Sequence, residues 1–527
     1  MLEQSSLFNM NLNLGQKSRR TLYCFVILCI NAILLVNNID VLGQKDGDKQ
    51  NEETPIVPKV YDQNLKIELV SQEFKFPTTM AFIGPNDFLI LEKNTGEVKR
   101  VINDKVTEKP LVKLNVSTSD ERGLLGIAII KKQDSKINTT SSNDDRITHY
   151  VFLYVVQCDE KKKDCNNRIY RYELDNGNNV LVNPKRLLGI PSFPETSHIG
   201  GIIKIGPDGN LYLTVGNFQR TNPITVYKSK TQNFENGHDF DGRGGILTIT
   251  QDGHVTGKSV IGDKFPFNLY YAYGIRNSFG INFDPVTGKL WDTENGPRFG
   301  DEINIVEPGF NSGADKMFGI WKNDGEGKRV LNGSKVQYET IKQDKPSDLL
   351  YIGDAYYDKP KFIWDKTVAP TAIVFPNSTK LGNQYDNEVF VATVDGGRIF
   401  NFELNKNRDG FVLNGPLSDK IANNKTEYKD ILFADGFSFI TDMAIEPETG
   451  YLYLVSGTKV SKTEKFAEVY RIVPRGDLDV RPSDSPGVAA LKMLMKMAPK
   501  TVDDSSSDSN QIDVLTQSDN ESPGQQH

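Results

Sequence analysis

The stretch from His198 to Asn217, HIGGIIKIGPDGNLYLTVGN, holds an apolar strand, a Pro-Asp-Gly turn and a second apolar strand, with a histidine at one end and an amide at the other. In GPDG the proline pre-sets φ and the next glycine accepts positive φ, so the two strands reverse tightly. The phrase returns along the chain. It is seen in TMAFIGPNDFLILEKNTGEVKRV, in GLLGIAII with HYVFLYVV and NRIYRYELD, and in SFGINFDPVTGKLWDTENGP with DEINIVEPG. It closes with TAIVFPNSTKLGNQYDNEVFVATVDGGRIFNFELN and with ITDMAIEPETGYLYLVSG followed by AEVYRIVPRG. Six copies between Tyr61 and Pro474 give roughly 70 residues each, enough for a four-stranded blade with its loops. A β-sandwich has no need of one phrase six times. The fold class expected is therefore all-β, a six-bladed β-propeller.

The composition agrees with one large β-rich globule: 527 residues, 38% hydrophobic, with 44 glycines and 20 tyrosines. A net charge of −7 without a long basic block argues against nucleic acid and for a small-molecule or protein partner. At the N-terminus Lys17, Arg19 and Arg20 precede the apolar run LYCFVILCINAILLV, residues 22–36, which has the form of a signal sequence or a short membrane anchor. Both fates stay open, and either makes the protein extracellular or cell-surface, secreted or tethered through 22–36. Two of the four cysteines lie in that run. The other two, Cys158 and Cys165, flank a polar loop between two strand-like segments, where a disulfide closes a hairpin in an oxidising compartment. Sequons at Asn115, Asn138, Asn332, Asn377 and Asn424 point to a glycoprotein. The expected organisation is a signal or anchor over 1–43, a polar linker over 44–60, the propeller over 61–475 and a disordered tail over 476–527. Within that tail, GVAALKMLMKMAPK suits a short amphipathic helix.

A propeller gathers loops from all its blades around a central channel, so chemistry is sought in the polar strand ends. Five stand out: LEK around Glu92, SHIGG with VGN, YGIRNSFG, TENGPRFGDEIN and TVDGG. His198 is suited to take a proton near neutral pH. Arg276 and Asn277 offer a guanidinium fork and an amide to an anion or carbonyl. Gly296 and Pro297 can present carbonyls, and Asp301 with Glu302 adds carboxylates, all hard oxygen ligands suited to calcium. The same residues also have ordinary uses, as a satisfied loop histidine, an arginine brace and a solvated acidic turn.

The ordered set DERGLLGIA, HIGGIIKIGPDGNLYLTVGN, GRGGIL, YGIRNSFGINFDPVTGKLW and ENGPRFGDEIN resembles the glucose/sorbosone dehydrogenase family over roughly Phe76 to Pro474. The resemblance implies a propeller that uses pyrroloquinoline quinone and calcium to oxidise a sugar or alcohol hydroxyl, passing electrons to an external acceptor. It implies that His198 is the base, with Asn217 and Arg276 in the catalytic group. Glu92, Arg276, Asn277, Gly296 and Pro297 are the implied cofactor contacts. Gly296 and Pro297 hold its calcium, and Glu302 belongs to a separate calcium.

The chain also departs from the family pattern. Asn217 stands where the family has an aspartate beside the histidine. Asp395 falls where it has a cofactor-binding lysine, and Phe439 and Thr441 fall where it has two arginines. The loop GFNSGAD lacks the family's aromatic and proline. These departures support an alternative, a non-catalytic propeller that binds glycans or proteins. A third reading, a calcium-dependent lactonase-like hydrolase, needs a cluster of channel carboxylates, and only Asp301 and Glu302 adjoin.

Overall fold

The repeated turns behave as their residues dictate. In GPDG the Asp208 Oδ1 accepts the Asn210 N–H at 3.1 Å and Gly209 takes φ +78°. In DPVTG the acid is Asp284, whose Oδ2 accepts the Thr287 hydroxyl at 2.7 Å. In EPETG, Glu446 accepts both the hydroxyl and the amide of Thr449. An acidic side chain thus ties down its own turn, and the flanking apolar strands are left to pair.

The computed structural model describes residues 57–132, 147–159, 164–192, 196–218, 228–257, 259–297, 299–319, 326–332, 335–342, 345–376, 379–460 and 465–476. The apolar run 22–36, the tail from 477 onward, Asn138 and Asn377 lie outside them. Among the described residues the strands form six sheets of four or five strands, antiparallel except where Ile421–Ala422 runs parallel to Phe362–Trp364 at the edge of blade four, plus a separate hairpin of Glu326–Asn332 with Lys335–Lys342. The innermost strands are Pro77–Gly84, Leu124–Lys131, Gly200–Ile205, Ser278–Phe283, Pro370–Val374 and Ile440–Ile445, one for each blade from one to six. They neighbour one another in a closed ring. This is the six-bladed β-propeller that the repeated phrase predicts.

Ring closure comes from the N-terminal side. Leu65–Phe74 pairs with Lys465–Pro474 as the outermost strand of blade six, so the first and last segments of the propeller share one sheet. Lys59–Val60 adds to blade five in the same way. The core is divided into six buried clusters, one at each blade junction. Between blades two and three, for example, Phe152, Tyr154, Leu213 and Tyr273 are fully buried. Burying each side chain of this size stabilises the fold by roughly 1.5–3 kcal/mol. Polar braces reinforce the junctions: Arg408 makes a bidentate, buried pair with Asp284 at 2.7–3.0 Å, locking blade five onto the turn of blade four.

Candidate functional site

In every blade the innermost strand starts, and the second strand ends, at the same face of the ring. His198 precedes the inner strand of blade three and Asn217 follows its second strand, Leu211–Val215. Arg276 and Asn277 precede the inner strand of blade four, while Gly296 and Pro297 follow Leu290–Glu294. The two ends of the opening phrase are therefore brought together by the hairpin itself. Gly216 is required there, because a Cβ on it would lie 2.0 Å from the His198 carbonyl oxygen. His198 holds φ +56°, a left-handed backbone uncommon for a side chain of this size. Such conformations cluster where function demands a fixed geometry.

The imidazole is held at both nitrogens. Arg276 Nη2 lies 2.9 Å from His198 Nε2, and Asn217 Oδ1 lies 2.9 Å from His198 Nδ1. A guanidinium can only donate, so Nε2 is the acceptor and Nδ1 carries the proton. Burial first, then the Arg276 charge, lowers the His198 pKa to about 4, with Asn217 opposing. The ring is thus neutral at physiological pH, its proton-accepting nitrogen facing the guanidinium.

Arg276 is itself buried and anchored. Its backbone N–H donates to Glu294 Oε1 at 2.6 Å, its Nη1 to the Asn295 carbonyl at 2.9 Å, and its carbonyl accepts the Asn217 N–H at 2.9 Å. Burial lowers its pKa, and the carboxylates of Asp315, Glu294, Asp301 and Glu121 oppose that loss of charge. Glu294 is pushed up to about 7 by burial, against donation from Ser312 and Arg276. Asp301 is pushed up to about 6, again by burial, against backbone N–H groups of Ala369, Gly296 and Val368. The site is therefore a buried cation ringed by carboxyl groups.

Asn277 belongs to the same network. Its Oδ1 accepts Gly200 N–H at 3.1 Å, and its Nδ2 donates to Glu121 Oε2 at 3.3 Å. Glu121 Oε2 also accepts Ile199 N–H at 3.0 Å, which ties blades two, three and four together behind the histidine. Sequence reasoning missed Glu121 as a site residue. The signal existed, since Glu121 stands just before the inner strand of blade two as His198 and Arg276 stand before those of blades three and four. Asp315 was missed as well, and no local signal marks it: it meets Asn217 across 98 residues of chain, Asn217 Nδ2 lying 3.3 and 3.4 Å from its two oxygens.

Glu92, expected as a cofactor contact, is turned into blade one. Fully buried, it accepts Lys75 N–H at 2.8 Å and the Thr95 hydroxyl at 2.7 Å, and pairs with Lys99 at 2.9 Å. Three donors satisfy that carboxylate away from the histidine, because a buried carboxylate is stable only when paired. Glu302 is also buried and inward-facing, accepting from Gly319 N–H and Asn304 Nδ2. Burial and the adjacent Glu294 raise its pKa well above the usual range. Among the described residues no group of three His, Cys, Asp or Glu side chains is arranged to hold a metal. Cys158 and Cys165 are joined in a disulfide with Cα atoms 3.9 Å apart, at the tip of the hairpin in blade two.

The far side of the same face is built differently. Phe439 lays its ring on Gly457, where a Cβ would lie 1.9 Å from it, and the Thr441 hydroxyl donates to the Pro77 carbonyl at 3.3 Å. Asp395 is largely exposed and Arg398 folds back to it, Nη1 lying 2.9 Å from its carbonyl and 3.8 Å from its carboxylate. For the quinone and calcium that the resemblance implies, the donor set fits at one end only. Near His198 there is a guanidinium, and among the described residues no N–H donates to the carbonyls of Gly296 and Pro297, leaving hard oxygens available to a cation. Across the face, a phenyl ring and a hydroxyl stand where a tricarboxylate needs cations.

A six-bladed propeller carrying a guanidinium-capped imidazole at the end of its inner strands defines the class. The glucose/sorbosone dehydrogenase family model matches residues 74–462, and the chain belongs to that family. Among curated proteins it is similar to quinoprotein glucose dehydrogenase B of Acinetobacter calcoaceticus, at 27% identity over 406 residues, covering 67% of this chain and 81% of that one. It is also similar to an aldose sugar dehydrogenase of Escherichia coli (strain K12), at 22% identity over 419 residues, covering 78% and 93%. The crystal structure of the soluble aldose sugar dehydrogenase from Escherichia coli in the apo form shares the fold, with a TM-score of 0.54 and 20% identity, over 78% of this chain and 100% of that chain.

Proposed function

We propose that the protein is a quinone-dependent dehydrogenase of sugars or related alcohols, with His198 as the base. The observation that carries this reading is the orientation of one imidazole: neutral, protonated on Nδ1, with Nε2 turned to Arg276. A substrate hydroxyl needs an acceptor of this kind as its carbon gives up hydride. Its proton goes to Nε2, and the imidazolium so formed keeps its Nδ1–H on Asn217. Arg276 must release Nε2 for this to happen, and its guanidinium then serves negative charge developing close by. Asn277 and Glu121 hold the strand ends on which base and guanidinium stand.

Pyrroloquinoline quinone with calcium, when bound, supplies the two-electron acceptor. The residues that would hold it are Arg276 and Asn277 together with the carbonyls of Gly296 and Pro297, while Asp395, Phe439 and Thr441 leave its carboxylates poorly matched. An external electron acceptor completes the turnover. The disulfide between Cys158 and Cys165 supports work in an oxidising compartment outside the cytoplasm.

The test is dye reduction by the full chain across a panel of aldoses, with added quinone and calcium and with His198→Ala as control. Sugar-dependent reduction that vanishes in the variant is expected. Absence of quinone binding by calorimetry overturns the reading in favour of a non-catalytic propeller.

A further inference from the structure

Asn217 raises a problem that the reading of His198 as a base leaves unsolved. A carboxylate beside Nδ1 only accepts, so it fixes the imidazole tautomer by itself; an amide does not, because either of its ends can face the ring. Arg276 holds the tautomer from the Nε2 side only until it releases that nitrogen to the substrate, and from then on the end of Asn217 that faces His198 decides it.

We propose that Asp315 is the positioning acid of this centre, fixing the Asn217 amide and through it the Nδ1–H tautomer of His198, in place of a carboxylate at position 217. The inference rests on the reading of His198 as the base. Its geometry is a chain of single-role partners. Asp315 presents both oxygens to one end of Asn217, at 3.3 and 3.4 Å. An ionised carboxylate accepts only, so that end must be the NH2 group. Oδ1 is then forced toward His198, 2.9 Å from Nδ1, and an oxygen there demands a proton on Nδ1. Nε2 is left as the acceptor, which is what a base requires.

Asp315 is in turn held from behind. Gln232 Oε1 accepts the Ser229 N–H and hydroxyl, both at 3.0 Å, so Gln232 Nε2 must be the group 3.0 Å from Asp315 Oδ2. The Asp315 N–H donates to the Gln232 carbonyl at 3.2 Å. Asp315 is also the first of the carboxylates that sustain the Arg276 charge. Two departures of the sequence thereby explain each other. The loop GFNSGAD, which lacks the family's aromatic and proline, ends in the acid that stands behind an amide lacking its own charge. The carboxylate has moved one residue outward, from contact with the imidazole to contact with the imidazole's partner.

The test is spectroscopic and needs neither cofactor nor sugar. In the full chain labelled with 15N-histidine and carrying Arg276→Met, so that no guanidinium fixes the ring through Nε2, the signals of His198 among five histidines are assigned by their loss in His198→Ala. At neutral pH, Nδ1 is expected to resonate as a protonated nitrogen and Nε2 as an unprotonated one. Asp315→Asn is expected to abolish that preference, and Asp315→Asn combined with Asn217→Asp to restore it. Asn217→Ala, which leaves the acid in place and removes the relay, is expected to lose it too and serves where Asp315→Asn does not fold. Retention of the wild-type tautomer in Asp315→Asn or Asn217→Ala overturns the proposal, as does failure of Asn217→Asp to restore it. If the dehydrogenase is active, kcat/KM falls roughly 10- to 100-fold in Asp315→Asn, the range seen for the outer partners of metal-ligating histidines, and recovers in the double variant. Absence of sugar oxidation in every chain sinks the functional reading alone, because the tautomer is read without it.

Discussion

The two halves of the channel face differ in kind. On the side of blades two to four, Glu121, His198, Asn217, Arg276, Asn277 and Asp315 form one continuous network of charged and amide groups, largely shielded from water. On the side of blades five and six, Asp395 lies in solvent beside its own Arg398, and Phe439 packs on a glycine. A buried polar network is costly unless complete, so an intact one implies a use that maintains it. An exposed acid and a packed ring carry no such cost. On the proposed reading the difference separates two tasks, handling the proton and holding the anion, and the groups present match the first better than the second.

The largest effect expected is loss of the proton acceptor. His198→Ala should lower kcat by about 10²- to 10⁴-fold, the contribution of a positioned general base, while sugar binding changes little. Steady-state kinetics with a saturating electron acceptor measures this. An unchanged kcat breaks the comparison at its stronger half. Next comes the weaker half: Phe439→Arg and Thr441→Arg should each tighten quinone binding about tenfold, close to 1.4 kcal/mol, when titrated by calorimetry. If the arginines weaken binding instead, cations elsewhere on the face already hold the cofactor and the contrast between the halves is lost.

The propeller was legible because turn chemistry is local: an acid, a proline and a glycine within a few residues announce the reversals at GPDG, DPVTG and EPETG, and six copies of the strand phrase announce the ring. His198, Arg276 and Asn277 were legible for the same reason, each standing directly before an inner strand. What escaped was everything decided by distance along the chain. Leu65–Phe74 reads as one more apolar strand, and nothing within it shows that it completes blade six. Glu92 is an exception of another kind, since its partner Lys99 stands on the adjacent strand of the same hairpin. Asp315 lies in a loop without pattern, and only the folded ring sets it behind Asn217.

The pH dependence follows from the His198 value of about 4, depressed by burial and by Arg276. Because the folded pKa lies below the ordinary 6.5, the neutral base persists as pH falls through 6 and 5, and kcat/KM should drop about tenfold per unit only below pH 4. The same sign applies to stability. The unfolded chain binds this proton first, so the contribution of the neutral histidine is present above pH 6.5 and is lost progressively toward pH 4. Replacing Arg276 with methionine removes the second cause of the depression and should raise the acid limb. A limb that stays put assigns the shift to burial alone and weakens the guanidinium's part in the preserved half.

The smallest effect expected lies at the edge of that half. Cys158 and Cys165 close a short loop, and a crosslink of this span contributes about 2 kcal/mol by restricting the unfolded chain. Replacing both with serine should lower the melting temperature by a few degrees in a calorimetric scan. The disulfide also touches the site at one remove. Arg122, next to Glu121, lies 3.2 Å from Cys165 Sγ through Nη1 and donates through Nη2 to the Ser192 carbonyl at 2.9 Å, so the outer strands of blade two brace the segment that carries Glu121. Ser192 still supports Arg122 when the sulfurs are gone, and kcat/KM is therefore expected to change far less than in Glu121→Leu, which removes the shared acceptor of Ile199 and Asn277. Comparable losses in the two variants would show that the network on blades two to four depends on the outer edge of its blade, and that the preserved half extends to the disulfide.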